Sequence, residues 1–134
     1  MLTELDHVGR VHNSQQVLDP GQVALLHSGL KDAARFANWE RLRRGEATIA
    51  IGPRSALFAP IAAIGCIVLD EEHDAAYKQD DLPRYHARAV ARELARASGA
   101  VCILGSATPD LATFAAAKRG VIGYLSLPER VRPT

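Results

Sequence analysis

Asp70-Glu71-Glu72-His73 follows directly on the apolar run Ile64-Gly65-Cys66-Ile67-Val68-Leu69, so a hydrocarbon strand ends in three carboxylates and an imidazole. Apolar residues without polar alternation describe a strand covered on both faces, as in a parallel α/β sheet. In such sheets ligands bind at the carboxyl ends of the strands. Two acids at that edge suit a division of labour in phosphate chemistry. Asp70 would hold Mg²⁺ through water, and Glu71 would orient or deprotonate the water that attacks a phosphate. Nucleotide hydrolysis is the first reading; a solvated acidic turn or a helix N-terminus is the structural alternative.

A second strand delivers polar groups to the same edge. Val101-Cys102-Ile103-Leu104 runs into Gly105-Ser106-Ala107-Thr108-Pro109-Asp110. Ser106 and Thr108 carry hydroxyls that donate to a phosphate or a carboxylate, and Gly105 lets backbone approach closely. The same letters also describe a helix start, with Thr108 as N-cap and Pro109 at the first helical position. His73 has no second His or Cys at metal-ligand spacing. It reads as a polar coupling residue that hydrogen bonds to the Ser106–Thr108 loop rather than as a zinc ligand.

Between these strands lies Asp74 to Arg88, which holds Tyr77 and Tyr85 together with Lys78, Arg84, His86 and Arg88. Aromatic faces interleaved with cations grip single-stranded nucleic acid, the ring stacking on a base while the cation meets the backbone. A surface loop with amphipathic tyrosines has the same composition. Its position, leaving the carboxylates, would let it report strand occupancy to the hydrolytic water. Arg88, Arg92 and Arg96 form an i, i+4, i+8 stripe that reads as a solvated helix face. His27-Ser28-Gly29 and Gly52-Pro53-Arg54-Ser55 sit just beyond two further strand ends, where backbone N–H groups and hydroxyls can hold phosphates. Either is equally compatible with turn chemistry.

The elements that position these groups alternate along the chain. Met1 to Pro20 reads as an irregular leader. Val23–Leu26 is a short strand, and Asp32–Arg44 a helix with Phe36, Trp39 and Leu42 inward, stopped by Gly45. Strands at Thr48–Ile51, Ile64–Leu69 and Val101–Leu104 follow, with a helix at His86–Ser98 whose Ala87, Val90, Ala91 and Leu94 share a side. A helix from Pro109 to Arg119, a strand at Ile122–Leu127 and a tail from Pro128 complete the pattern. Such alternation predicts an α/β fold with a parallel sheet and right-handed crossovers.

The chain has 134 residues, a net charge of +1 and a pI near 7.9, so nucleic-acid binding would rest on local basic groups rather than a bulk field. Cys66 and Cys102, the two cysteines, fall in predicted buried strands. Without a disulfide framework they point to a reduced, cytoplasmic setting. No stretch approaches the roughly 20 apolar residues of a membrane span. The sequence holds no G-x-x-x-x-G-K-[ST], and none of Lys31, Lys78 and Lys118 follows a glycine. The backbone cradle, lysine and hydroxyl that bind nucleotide phosphates are therefore not in this sequence.

Assembled in order, the stretches Val23-Ala24-Leu25-Leu26-His27-Ser28-Gly29-Leu30, Arg54 to Pro60, Val68 to His73, Tyr77-Lys78-Gln79, Arg84-Tyr85-His86-Ala87-Arg88 and Leu104 to Pro109 resemble the first motor lobe of the primosomal protein N′ (PriA) family, the replication-restart DNA helicases of superfamily 2. The resemblance covers Gln22 to Arg119. It implies a RecA-like three-layer lobe over residues 21–127, incomplete because the phosphate-loop strand is missing, flanked by a 1–20 leader and a 128–134 tail. It further implies that Asp70 binds Mg²⁺, that Glu71 is the catalytic base, and that His73, Ser106 and Thr108 couple hydrolysis to strand movement. DNA contacts are implied for His27, Ser28, Gly29, Arg54, Ser55, Tyr77, Lys78, Arg84, Tyr85, His86 and Arg88.

The family's activity is ATP-dependent 3′ to 5′ unwinding of DNA in replication restart. ATP and Mg²⁺ are its cofactors in the complete protein; single-stranded or forked DNA and other primosome proteins are its partners. Its cysteine-rich zinc insertion has no counterpart in this sequence, so zinc is not expected. Pro53, Leu82 and Ala89 depart from the family's usual residues. Without the phosphate loop and the second lobe's arginine finger, the isolated chain is expected to be inactive. A noncatalytic DNA-binding or partner-docking module derived from such a helicase is the alternative.

Overall fold

A computed structural model of the chain describes residues 19–128. Most of the 1–20 leader and the tail beyond residue 128 lie outside the described residues. Asp19 caps a 3₁₀ turn over Pro20–Gln22 by accepting from the Gly21 N–H, and the chain enters β1 (Val23–Leu25). Helix α1 (Asp32–Arg43) crosses back to β2 (Ile49–Ile51), which pairs with β1 in parallel, Val23 opposite Ile49 and Leu25 opposite Ile51. Gly45, at φ 73°, makes the left-handed turn between them. Ala24, Leu26, Leu42 and Ala47 form the core of this unit. Of the three residues expected inward on α1, Leu42 alone is buried. Phe36 is 70% exposed and Trp39 38%, because β1 and β2 are three residues each and offer α1 a strip too narrow to cover two aromatics.

The second unit carries the acidic turn. After a 3₁₀ turn over Arg54–Phe58, β3 (Cys66–Leu69) pairs in parallel with β6 (Val101–Leu104), Cys66 opposite Val101 and Leu69 opposite Leu104. Helix α2 (Ala87–Ser98) provides the crossover. Ala87, Ala91 and Ala95, one turn apart, are buried against Ile67 and Leu69. Methyl side chains let the helix lie close on the strands. Gly99 ends α2 at φ 68°.

One face of this pair is covered and the other is not. Ile67 and Leu69 are buried, whereas Cys66, Val68, Val101 and Ile103 are exposed, Val68 by 64%. The expectation of strands covered on both faces, with both cysteines inside, is therefore corrected: Cys66 is exposed and Cys102 half-buried. α2 packs on one side only, so the period-2 geometry of the strand exposes every second residue. Among the described residues the parallel strands form two separate two-stranded sheets rather than one continuous sheet.

Helix α3 spans Leu111–Lys118. Its N-cap is Asp110, whose carboxylate accepts from the Ala112 N–H, and not Thr108 as the sequence suggests. The expected strand at Ile122–Leu127 does not form. Among the described residues no strand lies beside that segment to pair with it, and Tyr124 instead packs edge-on against Phe114 at 6.3 Å. Between β3 and α2 the chain forms a 3₁₀ turn over Ala75–Tyr77 and the two-residue strands β4 (Lys78–Gln79) and β5 (Tyr85–His86), paired antiparallel.

Candidate functional site

The carboxyl ends of β3 and β6 are joined by backbone. Gly105 N–H donates to Leu69 O at 2.8 Å, and Glu72 N–H donates to Gly105 O at 2.9 Å. The acidic turn and the Ser106–Thr108 loop are thus held side by side, as the two strand ends imply. Asp70 accepts the Glu71 N–H at Oδ1, 3.0 Å, with Gly105 beside it. Glu71 turns the chain with φ 45°, a left-handed conformation that costs a non-glycine residue about 1 kcal/mol or more and that collects at functional turns. The Glu71 carboxylate is solvent-facing and lies 3.5 Å from His73 Nδ1.

His73 spans the two loops. Its Nδ1 is 2.7 Å from Ser106 Oγ and its Nε2 is 3.4 Å from Thr108 Oγ1. Ser106 Oγ also accepts the Thr108 N–H at 3.0 Å. The imidazole expected to couple to these hydroxyls therefore contacts both.

Glu72 is the residue to which sequence reasoning attached no role. It is 1% exposed. Its Oε1 accepts the Asp110 N–H at 2.7 Å, while Oε2 accepts from Arg88 Nη1 at 2.7 Å and from Thr113 Oγ1 at 3.1 Å. Arg88 Nη1 also lies 3.3 Å from Asp110 Oδ1. Burial works against the Arg88 charge, but its bonds to Glu72 and Asp110 outweigh it and raise the guanidinium's pKa. Arg88 in turn holds the Asp110 carboxyl below the usual carboxylate value, helped by the Ala112 N–H. Arg88 accordingly does not belong to a solvated Arg stripe; Arg92 and Arg96 are exposed, but the Arg88 side chain is only 20% so. The only sequence signal for this pairing is an arginine in the first turn of the helix that must pack beside the acidic turn.

The aromatic segment is tied to the acidic edge through its backbone. Tyr77 Oη donates to Asp70 O at 2.6 Å. Its phenol is pushed up, first by burial and then by the charges of Asp70, Asp74 and Glu71. Arg54 reaches across from the 3₁₀ turn, its Nη1 donating to Ala76 O at 2.6 Å and to Lys78 O at 3.0 Å. Tyr85 packs edge-on against Phe58 at 5.5 Å. Lys78 pairs with Asp80 at 2.9 Å, and Arg84 Nε donates to Asp80 O at 3.0 Å, both at exposed positions. His86 caps α2, its Nδ1 accepting the Arg88 N–H at 3.3 Å. Burial, and then the Arg88 charge, lowers the His86 pKa.

His27, Ser28 and Gly29 follow β1, where Gly29 N–H donates to His27 Nδ1 at 3.1 Å, and Ser28 is exposed. Gly52 packs so closely on the end of β1 that a Cβ there would lie 2.1 Å from Leu26 O. Ser55 is exposed one residue beyond Arg54. Among the described residues, no side-chain hydrogen bond links His27–Gly29 to the acidic turn.

No group of three or more His, Cys, Asp or Glu among the described residues is placed to hold a metal ion. Mg²⁺ keeps several waters and is bound through one or two carboxylates plus substrate phosphates. Asp70, a carboxylate at the end of β3, is of the donor type such a site uses.

No family model matches the chain. Curated relatives do. The Replication restart protein PriA of Bacillus subtilis is 46% identical over 110 residues, which cover 82% of this chain and 14% of the relative. That of Haemophilus influenzae is 44% identical over 109 residues, 81% of this chain and 15% of the relative. That of Treponema pallidum is 43% identical over 112 residues, 82% of this chain and 17% of the relative.

The matched stretch belongs to the PriA family.

The chain spans about one seventh of the length of the PriA relatives it matches. The name of those relatives ties them to replication restart. No described helix is long and apolar enough to cross a membrane.

Proposed function

We propose that this chain carries the acid edge and the DNA-sensing segment of a PriA-type helicase's first motor lobe, a RecA-like layer that couples ATP hydrolysis to 3′ to 5′ movement on DNA. One observation carries the reading: the Asp70–His73 turn and the Ser106–Thr108 loop meet at one edge, with His73 bonded to both hydroxyls. A motor needs such a link between the groups at the phosphate and the loops that touch the strand. In this reading Asp70 and Glu71 face the nucleotide, Asp70 toward Mg²⁺ and Glu71 toward the attacking water.

Bound Mg²⁺ would neutralise charge developing on the transferred phosphoryl group. Glu71 would orient the water and take its proton at its half-exposed carboxylate, whose Oε2 is the oxygen beside His73. His73 would transmit displacement of the Ser106–Thr108 loop to Glu71, 3.5 Å away. Tyr77, bonded to Asp70 O, would carry strand occupancy to the same turn. The DNA-facing groups favoured by exposure are Lys78, Arg84, Ser28 and Ser55. Arg54 is spent on the Ala76 and Lys78 carbonyls, and Arg88 on Glu72 and Asp110, so both would shape the interface from behind.

Because this sequence holds no phosphate loop, the chain by itself is expected to show no ATP turnover, with or without DNA. Turnover above background that disappears in Glu71→Gln would overturn that. Single-stranded DNA binding is expected to weaken as salt rises and to drop on Tyr77→Ala and Arg84→Ala. Binding that neither substitution alters would remove the DNA assignment.

A further inference from the structure

Glu72 holds both ends of the loop that carries Ser106 and Thr108. Its N–H donates to Gly105 O at 2.9 Å where the loop begins. Its carboxylate accepts the Asp110 N–H at 2.7 Å where the loop ends. His73, the next residue, contacts the two hydroxyls between those points. The loop is therefore bonded to the acidic turn at four successive places, two of them through Glu72. A carboxylate 1% exposed is costly to keep charged without partners, and each of its oxygens has them: Asp110 N–H on one, Arg88 and Thr113 on the other. Arg88 bridges onward to Asp110 Oδ1, so the cation that neutralises Glu72 also fixes the residue that Glu72 clamps.

We propose that Glu72, neutralised by Arg88, is a positioning residue that clamps the Gly105–Asp110 loop at both ends and thereby sets Ser106 and Thr108 against His73. Its importance for energy coupling rests on the function proposed above; the clamp itself does not. Because Arg88 stands in the first turn of α2, directly after β5, any shift of the tyrosine-bearing segment that moves the start of α2 pulls on the clamp. Arg88 is thus assigned an internal role in place of a DNA contact.

The test is nitrogen-15 NMR of the histidine rings of this chain, with the His73 signals assigned by His73→Ala. In Glu72→Ala and in Arg88→Met the His73 ring nitrogens are expected to move toward the values of a free imidazole, as the contacts to Ser106 and Thr108 are lost. Glu72→Gln, whose amide oxygen still accepts from Asp110 N–H, is expected to move them less. The Ala24–Leu42 core amides serve as the control for folding, since that cluster lies in the β1–β2 unit.

Variants that stay folded and leave the His73 ring signals unchanged would overturn the proposal. Should neither variant fold, the unsubstituted chain decides: the Asp110 amide is expected to be protected from hydrogen exchange together with the Glu72 amide. An Asp110 amide exchanging as freely as that of exposed Ser28 would refute the clamp. Neither readout involves nucleotide or DNA, so a failed helicase assignment leaves both expectations standing.

Discussion

Arg88→Met separates an internal cation from a DNA-facing one by its effect on stability. The substitution keeps most of the aliphatic stem and removes the guanidinium. Among the described residues it leaves the Glu72 carboxylate, 1% exposed, with Asp110 N–H at 2.7 Å and Thr113 Oγ1 at 3.1 Å. Removing one partner of a buried ion pair costs about 3–5 kcal/mol, because the other charge stays uncompensated. The Arg88 side chain is 20% exposed, so water reaches that flank, and the lower end, about 3 kcal/mol, is expected. The second contact, to the more exposed Asp110, adds less than about 1 kcal/mol.

Urea unfolding followed by helical circular dichroism measures the loss. With a slope of about 1–3 kcal/mol per molar for a domain of this size, the midpoint should fall by roughly 1–3 M. Glu72→Gln combined with Arg88→Met should recover about 1–2 kcal/mol relative to the single Arg88 variant, since no buried charge remains and Gln still accepts from Asp110 N–H. A loss below about 1 kcal/mol for Arg88→Met would refute the reasoning. A near-neutral stability combined with a smaller salt slope of DNA binding would restore Arg88 to the DNA contacts.

Stability should also fall in mild acid through His86. Its folded pKa lies below the ordinary 6.5, so the neutral ring is favoured on folding; the contribution is whole above pH 6.5 and lost as pH drops through the folded value. A protonated Nδ1 cannot accept the Arg88 N–H, and His86→Asn, which keeps a capping acceptor, should flatten the midpoint-against-pH curve between the two values. Gly52→Ala puts a methyl 2.1 Å from Leu26 O, forcing β1 and β2 apart where Leu26 N–H meets Ile51 O, and should cost about 2–4 kcal/mol by urea unfolding. An unchanged midpoint would show that the strand ends yield freely. Arg54→Met releases the Ala76 and Lys78 carbonyls and should speed amide exchange across Ala75–Gln79 while leaving the β1–β2 unit as it was. Equal exchange in both proteins would mean that Arg54 does not hold that segment.

Local pattern carried a good deal of this molecule. The apolar runs at Val23, Thr48, Ile64 and Val101 each contain a strand, and the Gly45 and Gly99 stops end their helices within a residue or two, because hydrophobic run length and left-handed glycine are properties of neighbouring residues. The meeting of His73 with Ser106 and Thr108 was also legible, since parallel neighbours deliver their carboxyl-end loops to the same edge. What each strand face meets was not. An apolar run is the same string whether one or two layers cover it, and here α2 covers one, leaving Val68 and Ile103 in water. The Ile122–Leu127 run fails as a strand for a similar reason, a strand being a relation between two segments rather than a property of one.

Charge followed the same division. Sequence alone determined which residues are acidic, basic or hydroxylated, and that Asp70, Glu71 and His73 leave a strand end. Tertiary structure decided which charges are spent on partners within the chain: Arg88 on Glu72, and Arg54 on two carbonyls. The reason is distance. A Coulomb or hydrogen-bond partner sixteen or forty-one residues away, as Arg88 and Thr113 are from Glu72, leaves no periodic mark on the chain, and its identity exists only once α2 and α3 are folded onto the strand ends.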